Sequence, residues 1–263
     1  MVVDASEAHR TAGQDRAPGI GGRPRRGPAA WVAMYHSVSD SWDDPFNITV
    51  SAARLARQLA WLHGRGLRGV SMRELLAARA RGQERGLVGL TFDDGYADFA
   101  TTALPVLRRW HCGATVFVVA GRLGGENDWE VSGPRKRLLS ADDIRRLPAL
   151  GVEVASHGLT HSDLTRLPDD VLRAEVHGSR ALLAELTGQH VRGFCYPYGR
   201  LDARVGAAVH GAGYGYACAV TPGPDGAGDL ALPRIHVGQA DTGVRLEVKR
   251  RLARPWGRAL EAS

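Results

Sequence analysis

Lysine, cysteine and long apolar runs are all scarce in this chain. Lys136 and Lys249 are the only lysines among 34 basic residues, so the positive charge is nearly all arginine. The three cysteines, Cys112, Cys195 and Cys218, are odd in number and far apart. That excludes a disulfide framework and a cysteine zinc cluster. The longest apolar runs, such as Thr115–Ala120, fall far short of the ~18–20 residues that a membrane-crossing helix needs. The first ten residues have neither a basic start nor an apolar core, so no secretory leader is expected. With unpaired thiols, this predicts a reducing compartment, the cytoplasm.

Charge is also missing from the middle of the chain. The formal net charge is +6, but the excess sits at the two ends. Residues 1–30 carry Arg10, Arg16, Arg23, Arg25 and Arg26 against Asp4, Glu7 and Asp15. Residues 245–263 carry Arg245, Lys249, Arg250, Arg251, Arg254 and Arg258 against Glu247 and Glu261. Residues 31–244 are left neutral. A protein that tracks nucleic acid usually wears positive charge on its folded body, so no nucleic-acid partner is expected.

What is present is a core-forming composition, 44% hydrophobic, and an alternation of strand-like and helix-like stretches. Residues 1–30, rich in Gly, Pro, Ala and Arg without periodicity, read as a disordered tail. Trp31–Val38, Leu87–Phe92, Ala114–Ala120, Val152–Ala155, Gly193–Tyr196, Tyr214–Val220 and Ala231–Val237 read as strands. Between them, Ser51–His63 presents Leu55, Leu59 and Leu62 on one helical face. Leu172, Val176, Leu183 and Leu186 stripe another helix that Gly188 ends. Ser71 with Glu74, and Ser140 with Asp143, mark helix starts. This rhythm predicts a mainly parallel sheet with helices outside, as a single domain over 31–240. A closed or nearly closed (β/α) barrel is the first choice and an open doubly wound sheet the second. A basic helix or tail over 241–263 completes the chain.

In such barrels the chemistry sits at the C-terminal ends of the strands. Four strand ends here deliver reactive side chains. Leu87–Phe92 ends in Asp93-Asp94-Gly95, and Val152–Ala155 in Ser156-His157-Gly158-Leu159-Thr160-His161. Gly193–Cys195 ends in Tyr196-Pro197-Tyr198-Gly199, and Trp31–Tyr35 in His36. His157 and His161 are four apart, a spacing that puts both imidazoles on one face of a helix or tight turn. Two histidines and one carboxylate leave coordination positions open, which suits a catalytic zinc; the same set also fits non-haem iron(II). Asp-Asp-Gly is ordinary turn chemistry, but two carboxylates ending a buried strand repel each other. A metal relieves this when one ligates and the other stays free as a base. Trp129, in the aperiodic Gly121–Leu139 segment, is a candidate to stack on a sugar ring.

The ordered set resembles the polysaccharide deacetylases, the NodB-homology enzymes of carbohydrate esterase family 4. Thr91-Phe92-Asp93-Asp94-Gly95, then Ser156-His157-Gly158-Leu159-Thr160-His161, then Phe194-Cys195-Tyr196-Pro197-Tyr198-Gly199 follow at the family's order and distances. The resemblance implies a distorted (β/α) barrel and one divalent ion, usually zinc. It implies that Asp94, His157 and His161 are metal ligands and Asp93 the general base. Tyr196, Pro197 and Tyr198 would line the substrate pocket, with a backbone N–H near Tyr198 at the oxyanion. The implied substrate is an N-acetylated sugar or glycan, cleaved to acetate and a free amine.

Two departures stand out. Many members carry an arginine in the third motif that tethers the base; Cys195 occupies that place here, with Arg192 three residues earlier. The usual late Leu-x-His is replaced by Leu232-Pro233-Arg234-Ile235-His236. The early Ala33-Met34-Tyr35-His36 resembles the circularly permuted branch of poly-N-acetylglucosamine deacetylases. His36 is therefore favoured as the general acid, with His236 as runner-up. Cys195 and Cys218 read as inert core thiols. Hydrolysis of a different C–N amide and a glycan-binding pseudoenzyme are the alternatives. The basic C-terminal segment, with Leu246, Val248, Leu252 and Trp256 among its arginines, is a candidate for weak contact with a membrane surface.

Overall fold

The structure is a computed structural model, described here for residues 28–41, 43–220 and 227–252. The N-terminal tail up to residue 27, Trp42, and the C-terminal residues Arg254 and Trp256 lie outside the described residues.

Eleven strands and seven α-helices alternate along the described chain. The strands are β1 (Trp31–Tyr35), β2 (Ser37–Val38), β3 (Thr49–Val50), β4 (Arg68–Val70), β5 (Leu87–Phe92), β6 (Ala114–Val118), β7 (Val152–Ser156), β8 (Gly193–Cys195), β9 (Tyr216–Ala219), β10 (Leu232–Pro233) and β11 (Ile235–His236). The helices are α1 (Ala52–His63), α2 (Met72–Arg79), α3 (Leu104–Arg109), α4 (Ala141–Arg146), α5 (Asp169–Thr187), α6 (Ala203–Gly211) and α7 (Gly243–Leu252). The helical stretch that ends in α3 begins as a π-helical turn, Phe99–Ala103.

Every pairing in the main sheet is parallel, in the order β10-β9-β8-β7-β6-β5-β1-β11. β4 borders the first half of β5 and β6 the second. The two ends of this path are β10 and β11, which are consecutive in sequence. The expected single strand over 231–237 is therefore split at Arg234. Leu232–Pro233 pairs with β9 on one side, and Ile235–His236 pairs with β1 on the other. The sheet is thus a nearly closed barrel, joined at its seam by the covalent chain through Arg234. An open doubly wound sheet is excluded.

Alternation along each strand decides what faces inward. Val32, Phe117, Ala155, Cys195, Tyr216, Cys218 and Leu232 pack together inside the barrel. Their neighbours Ala33, Val116, Val154, Phe194 and Ala217 belong to the outer layer that the helices cover. α1 buries Leu55, Leu59 and Leu62, and α5 buries Leu172, Val176 and Leu183. Ser51 caps α1, and Ser140 with Asp143 forms a reciprocal capping box on α4. Ser71 caps α2 through the Glu74 N–H, but Glu74 turns away to Arg68.

α2 packs Met72, Leu75 and Ala78 against the inward-facing side chains, which plugs the end of the barrel opposite the strand C-termini. Its N-terminus meets a buried polar group. Thr115 Oγ1 accepts from the Met72 N–H at 2.8 Å and donates to Glu153 Oε2 at 2.8 Å. Glu153 Oε2 also accepts from the Arg73 N–H at 2.7 Å, and Oε1 accepts from Tyr216 Oη at 3.0 Å. Glu153 thereby satisfies donors that a helix start leaves unpaired, and its charge lies where the helix dipole favours it. No described helix is long and apolar enough to cross a membrane. α7 leaves Val244, Val248 and Leu252 exposed.

Glu153→Ala strands the buried hydroxyls of Thr115 and Tyr216 and the partly buried Arg73 N–H, at about 1–3 kcal/mol each. A loss of at least about 3 kcal/mol is expected, read as a lower urea midpoint, with a smaller loss for Tyr216→Phe.

Candidate active site

Strand periodicity puts the first functional carboxylate in place. Gly89, Thr91 and Asp93 share one face of β5 and its continuation, as Glu153, Ala155 and His157 do on β7 and Leu232 and Arg234 across the seam. Asp93, His157 and Arg234 therefore top the inward-facing columns of three strands. Side chains with no place in an apolar core sit where the barrel opens.

The residue after Asp93 does not continue the strand. Asp94 and Gly95 both adopt φ of 70°, which turns the chain and sends Asp94 in a different direction from Asp93. A Cβ on Gly95 would also touch Val118 at 3.4 Å. The other two motifs end the same way: Gly158 at 79° and His161 at 63°, Tyr198 at 59° and Gly199 at 67°. Three of the five described non-glycine residues with positive φ thus belong to the site. Such backbone costs about 1–3 kcal/mol per residue and persists only where its surroundings enforce it.

Asp94 Oδ1 lies 3.3 Å from Nε2 of both His157 and His161. All three side chains are buried, and their ligand atoms lie within 4.8 Å of one another. His157 Nδ1 is 2.7 Å from the Cys195 carbonyl. A carbonyl only accepts, so this contact puts the proton on Nδ1 and turns the Nε2 lone pair toward Asp94. Burial pushes the Asp94 carboxyl up, and the two histidines outweigh it and hold it well below its usual range. Two imidazole nitrogens and a carboxylate oxygen converging in a buried pocket fit a divalent ion such as zinc. The alternative grouping of Asp93, His157 and Cys195 fits poorly. Its thiol is 3.0 Å from Arg234 Nη2, and a cation there would face a guanidinium.

The spacing of His157 and His161 comes from a turn and not from a helix, since residues 157–163 are irregular. Buried Glu175 on α5 holds this turn. Its Oε2 accepts from the N–H groups of Leu159 at 2.7 Å and Thr160 at 3.1 Å, and its Oε1 accepts from the Thr160 hydroxyl. Trp129 stacks on His161, with ring centroids 4.6 Å apart and planes 19° from parallel. It buttresses that imidazole, and it is not among the residues that line the cleft.

Asp93 has a different partner. Arg234 Nη1 donates to Oδ1 at 2.6 Å and Nη2 to Oδ2 at 2.8 Å, with side chains 1% and 4% exposed. Nη1 also donates to Thr91 Oγ1 at 3.2 Å, and the guanidinium lies over the Phe117 ring. Burial pushes the Asp93 carboxyl up, and Arg234 more than offsets this and leaves it below its usual range. Arg234 therefore fills the position expected of a third-motif arginine. Arg192 does not: it packs beside Gly215 on the surface. Cys195 is buried as expected, but it is not remote from the chemistry, because its thiol contacts Asp93 and Arg234.

His36 Nε2 is 3.9 Å from Asp93 Oδ2. Burial lowers the basicity of this imidazole while Asp93 and Asp94 act in the opposite sense. His236 stands behind it, with ring centroids 6.4 Å apart. Its backbone carbonyl accepts from Lys249. A cleft of 220 Å³ is lined by His36, Asp93, Asp94, His157 and His161 together with Phe46, Ile48, Glu130, Tyr196, Tyr198, Val220 and Arg234. His236 and Pro197 do not line it; Pro197 is buried beneath the turn that carries Tyr198. Burial raises the Glu130 carboxyl, with His161 opposing this and Asp94 adding to it.

Sequence reasoning missed Arg234, Glu175, Glu130 and Phe46. Glu175 had a signal, since it falls on the buried stripe of α5 between Leu172 and Val176. Arg234 had a weaker one, an arginine inside an apolar strand-like run.

A two-histidine, one-carboxylate set beside a separately tethered carboxylate, at the C-terminal rim of a parallel barrel, is the layout of a barrel hydrolase. A model of the polysaccharide deacetylases matches residues 80–217, and the chain belongs to that family. It is 26% identical over 216 residues to the YxkH protein of Bacillus subtilis, assigned to the polysaccharide deacetylases, covering 81% of this chain and 72% of that one. It is 24% identical over 204 residues to the poly-beta-1,6-N-acetyl-D-glucosamine N-deacetylase of Staphylococcus aureus, covering 72% and 68%. Solved structures with the same fold include the deacetylase PplD of Streptococcus pyogenes in complex with acetate. That match has a TM-score of 0.72 and 22% identity over 87% of this chain and 99% of that one. IcaB from Ammonifex degensii superposes with a TM-score of 0.70 and 24% identity, over 86% and 98%.

Elemental analysis of the purified protein is expected to find about one tightly held divalent ion per chain. Asp94→Ala and His157→Ala should lose it, whereas Asp93→Asn should keep it. Full metal content in either of the first two would show the ligand assignment to be wrong.

Proposed function

We propose that the protein is a metal-dependent hydrolase that removes the N-acetyl group from an N-acetylated sugar or glycan. The observation that carries this reading is the separation of two adjacent carboxylates. Asp94 faces the histidine pair, while Asp93 is held by Arg234 and stays free to move a proton.

Asp94, His157 and His161 would hold a divalent ion, zinc in this reading, which would supply Lewis acidity for activating water and polarising the amide. Asp93 takes the proton that water loses as it adds to the carbonyl carbon. The fork of Arg234 fixes both carboxylate oxygens, so the base needs no reorientation. His36 gives a proton to the departing nitrogen, and the C–N bond breaks to leave acetate and a free amine. Because His36 and Asp93 face each other at 3.9 Å, the proton on Asp93 can return to His36 and reset both groups. Backbone N–H groups of the Tyr196–Gly199 turn are assigned to the oxyanion, and Tyr196 and Tyr198 to the sugar.

Acetate release from N-acetylglucosamine oligomers, with and without chelator, tests the reaction directly. Activity that chelation abolishes and zinc restores is expected; hydrolysis of other amides without acetate release would favour the different C–N substrate. Asp93→Asn should lower kcat by about 10²–10⁴-fold with metal content unchanged. His36→Ala should fall by at least about 10², and His236→Ala by far less.

Arg234 lowers the pKa of Asp93, so the base remains ionised toward lower pH. Arg234→Met should therefore move the acid limb of kcat/KM to higher pH. It should also destabilise the fold by about 3–5 kcal/mol, the cost of leaving a buried charge unpaired. Arg234→Lys should restore part of both. An unmoved acid limb in a folded Arg234→Met protein would refute the tether.

A further inference from the structure

The cleft has one charge that nothing in the described structure uses. Asp93 is matched by Arg234, and Asp94 faces the histidines. Arg234 is committed to Asp93, Thr91 and Cys195. Glu130 lines the same cleft, is half-buried, and its carboxylate meets no donor among the described residues.

The position of Glu130 is built by its loop. The Asn127 side chain donates to the Pro134 carbonyl and accepts from the Lys136 N–H, and the Asn127 carbonyl accepts from the Arg135 side chain and the Glu130 N–H. The next residue back, Trp129, is stacked on His161. Gly133 approaches Phe46 so closely that a Cβ there would lie 2.7 Å from the ring. The loop therefore reaches across to the segment that carries Phe46. Phe46, Tyr198 and Val220, each 43–48% exposed, give the cleft apolar faces to match its one uncommitted carboxylate.

Apolar faces suit the flat side of a pyranose ring, and a free carboxylate among them suits a cation. Each completed deacetylation creates such a cation, since the primary amine left on the sugar is protonated at neutral pH. We infer that Glu130 is a specificity-determining residue that binds the ammonium group of a deacetylated sugar neighbouring the one that reacts. The cleft then favours a partly deacetylated glycan over a fully acetylated one and rejects glycans with carboxylate or phosphate groups. One turnover makes the chain a better ligand for the next, so deacetylation spreads along a chain already begun. The order of events rests on the proposed reaction; the binding preference does not.

The test uses the full metal-loaded chain and three tetrasaccharides: glucosamine, N-acetylglucosamine, and a uronate-containing chain of similar length. Calorimetric titration should find the glucosamine tetramer bound about tenfold more tightly than the acetylated one at low salt. The margin should shrink as salt is added, and the uronate chain should bind weakest. Glu130→Gln should bring the ratio between the first two close to one, with metal content unchanged. Glu130→Asp should recover part of the ratio, which a folding defect would not. An equal loss of affinity for both oligomers in Glu130→Gln would mean that the carboxylate accepts a sugar hydroxyl, and would overturn the proposal. So would a wild-type protein with no preference, or a preference that survives in Glu130→Gln. Preference without any acetate release by the wild type would instead refute the reaction and leave the role of Glu130 standing.

Discussion

The buried pair between Asp93 and Arg234 is the constraint on which this molecule turns. A carboxylate and a guanidinium are both expensive to take out of water, and each is tolerable here only because the other is present with bidentate geometry. Arg234 is also the residue at which the barrel closes. Strands β10 and β11 lie on either side of it and pair with opposite edges of the sheet. One side chain therefore neutralises the charge at the mouth of the barrel while its backbone joins the seam. Fold closure and the protonation state of the proposed base are set at the same point.

Around that pair the two ends of the barrel are specialised by the same device. At the closed end, Glu153 is buried and satisfied by the start of α2, Thr115 and Tyr216. At the open end, Asp94 is buried against two imidazoles, and Glu175 clamps the turn that delivers one of them. Each interior carboxylate has its own set of partners, so none must share a site with another. In the proposed reaction that division separates the carboxylate that binds a metal from the one that takes a proton. Left-handed backbone at Asp94, His161 and Tyr198 gives the three loops the sharp turns that bring their side chains to a common centre.

Much of this was legible in the sequence. The βα rhythm required a parallel sheet with helices outside. Apolar runs ending in Asp93-Asp94, His157 and His36 put the chemistry at one rim, because side-chain alternation and the rule of strand C-termini operate locally. The arrangement of α1 and α5 followed from their leucine stripes. The split of the 231–237 run was not legible, because both halves look like strand and only the sheet edges decide where each pairs. Trp129 was legible as important but not as a buttress, since loop geometry is not encoded in a periodicity. Pro197 sits under its turn for the same reason.

The sequence by itself determined the fold class, the order of the motifs and the kind of side chain at each strand end. These follow from patterns of two and of 3.6 residues, and from turn chemistry within a few positions. Which residue holds Asp93 was decided only by tertiary structure. An arginine about 140 residues away in sequence reaches Asp93 because barrel closure brings the last strands beside the first. Cys195 stands where sequence order would place a tether, yet a thiol cannot supply a buried positive charge. The barrel supplies it from the seam.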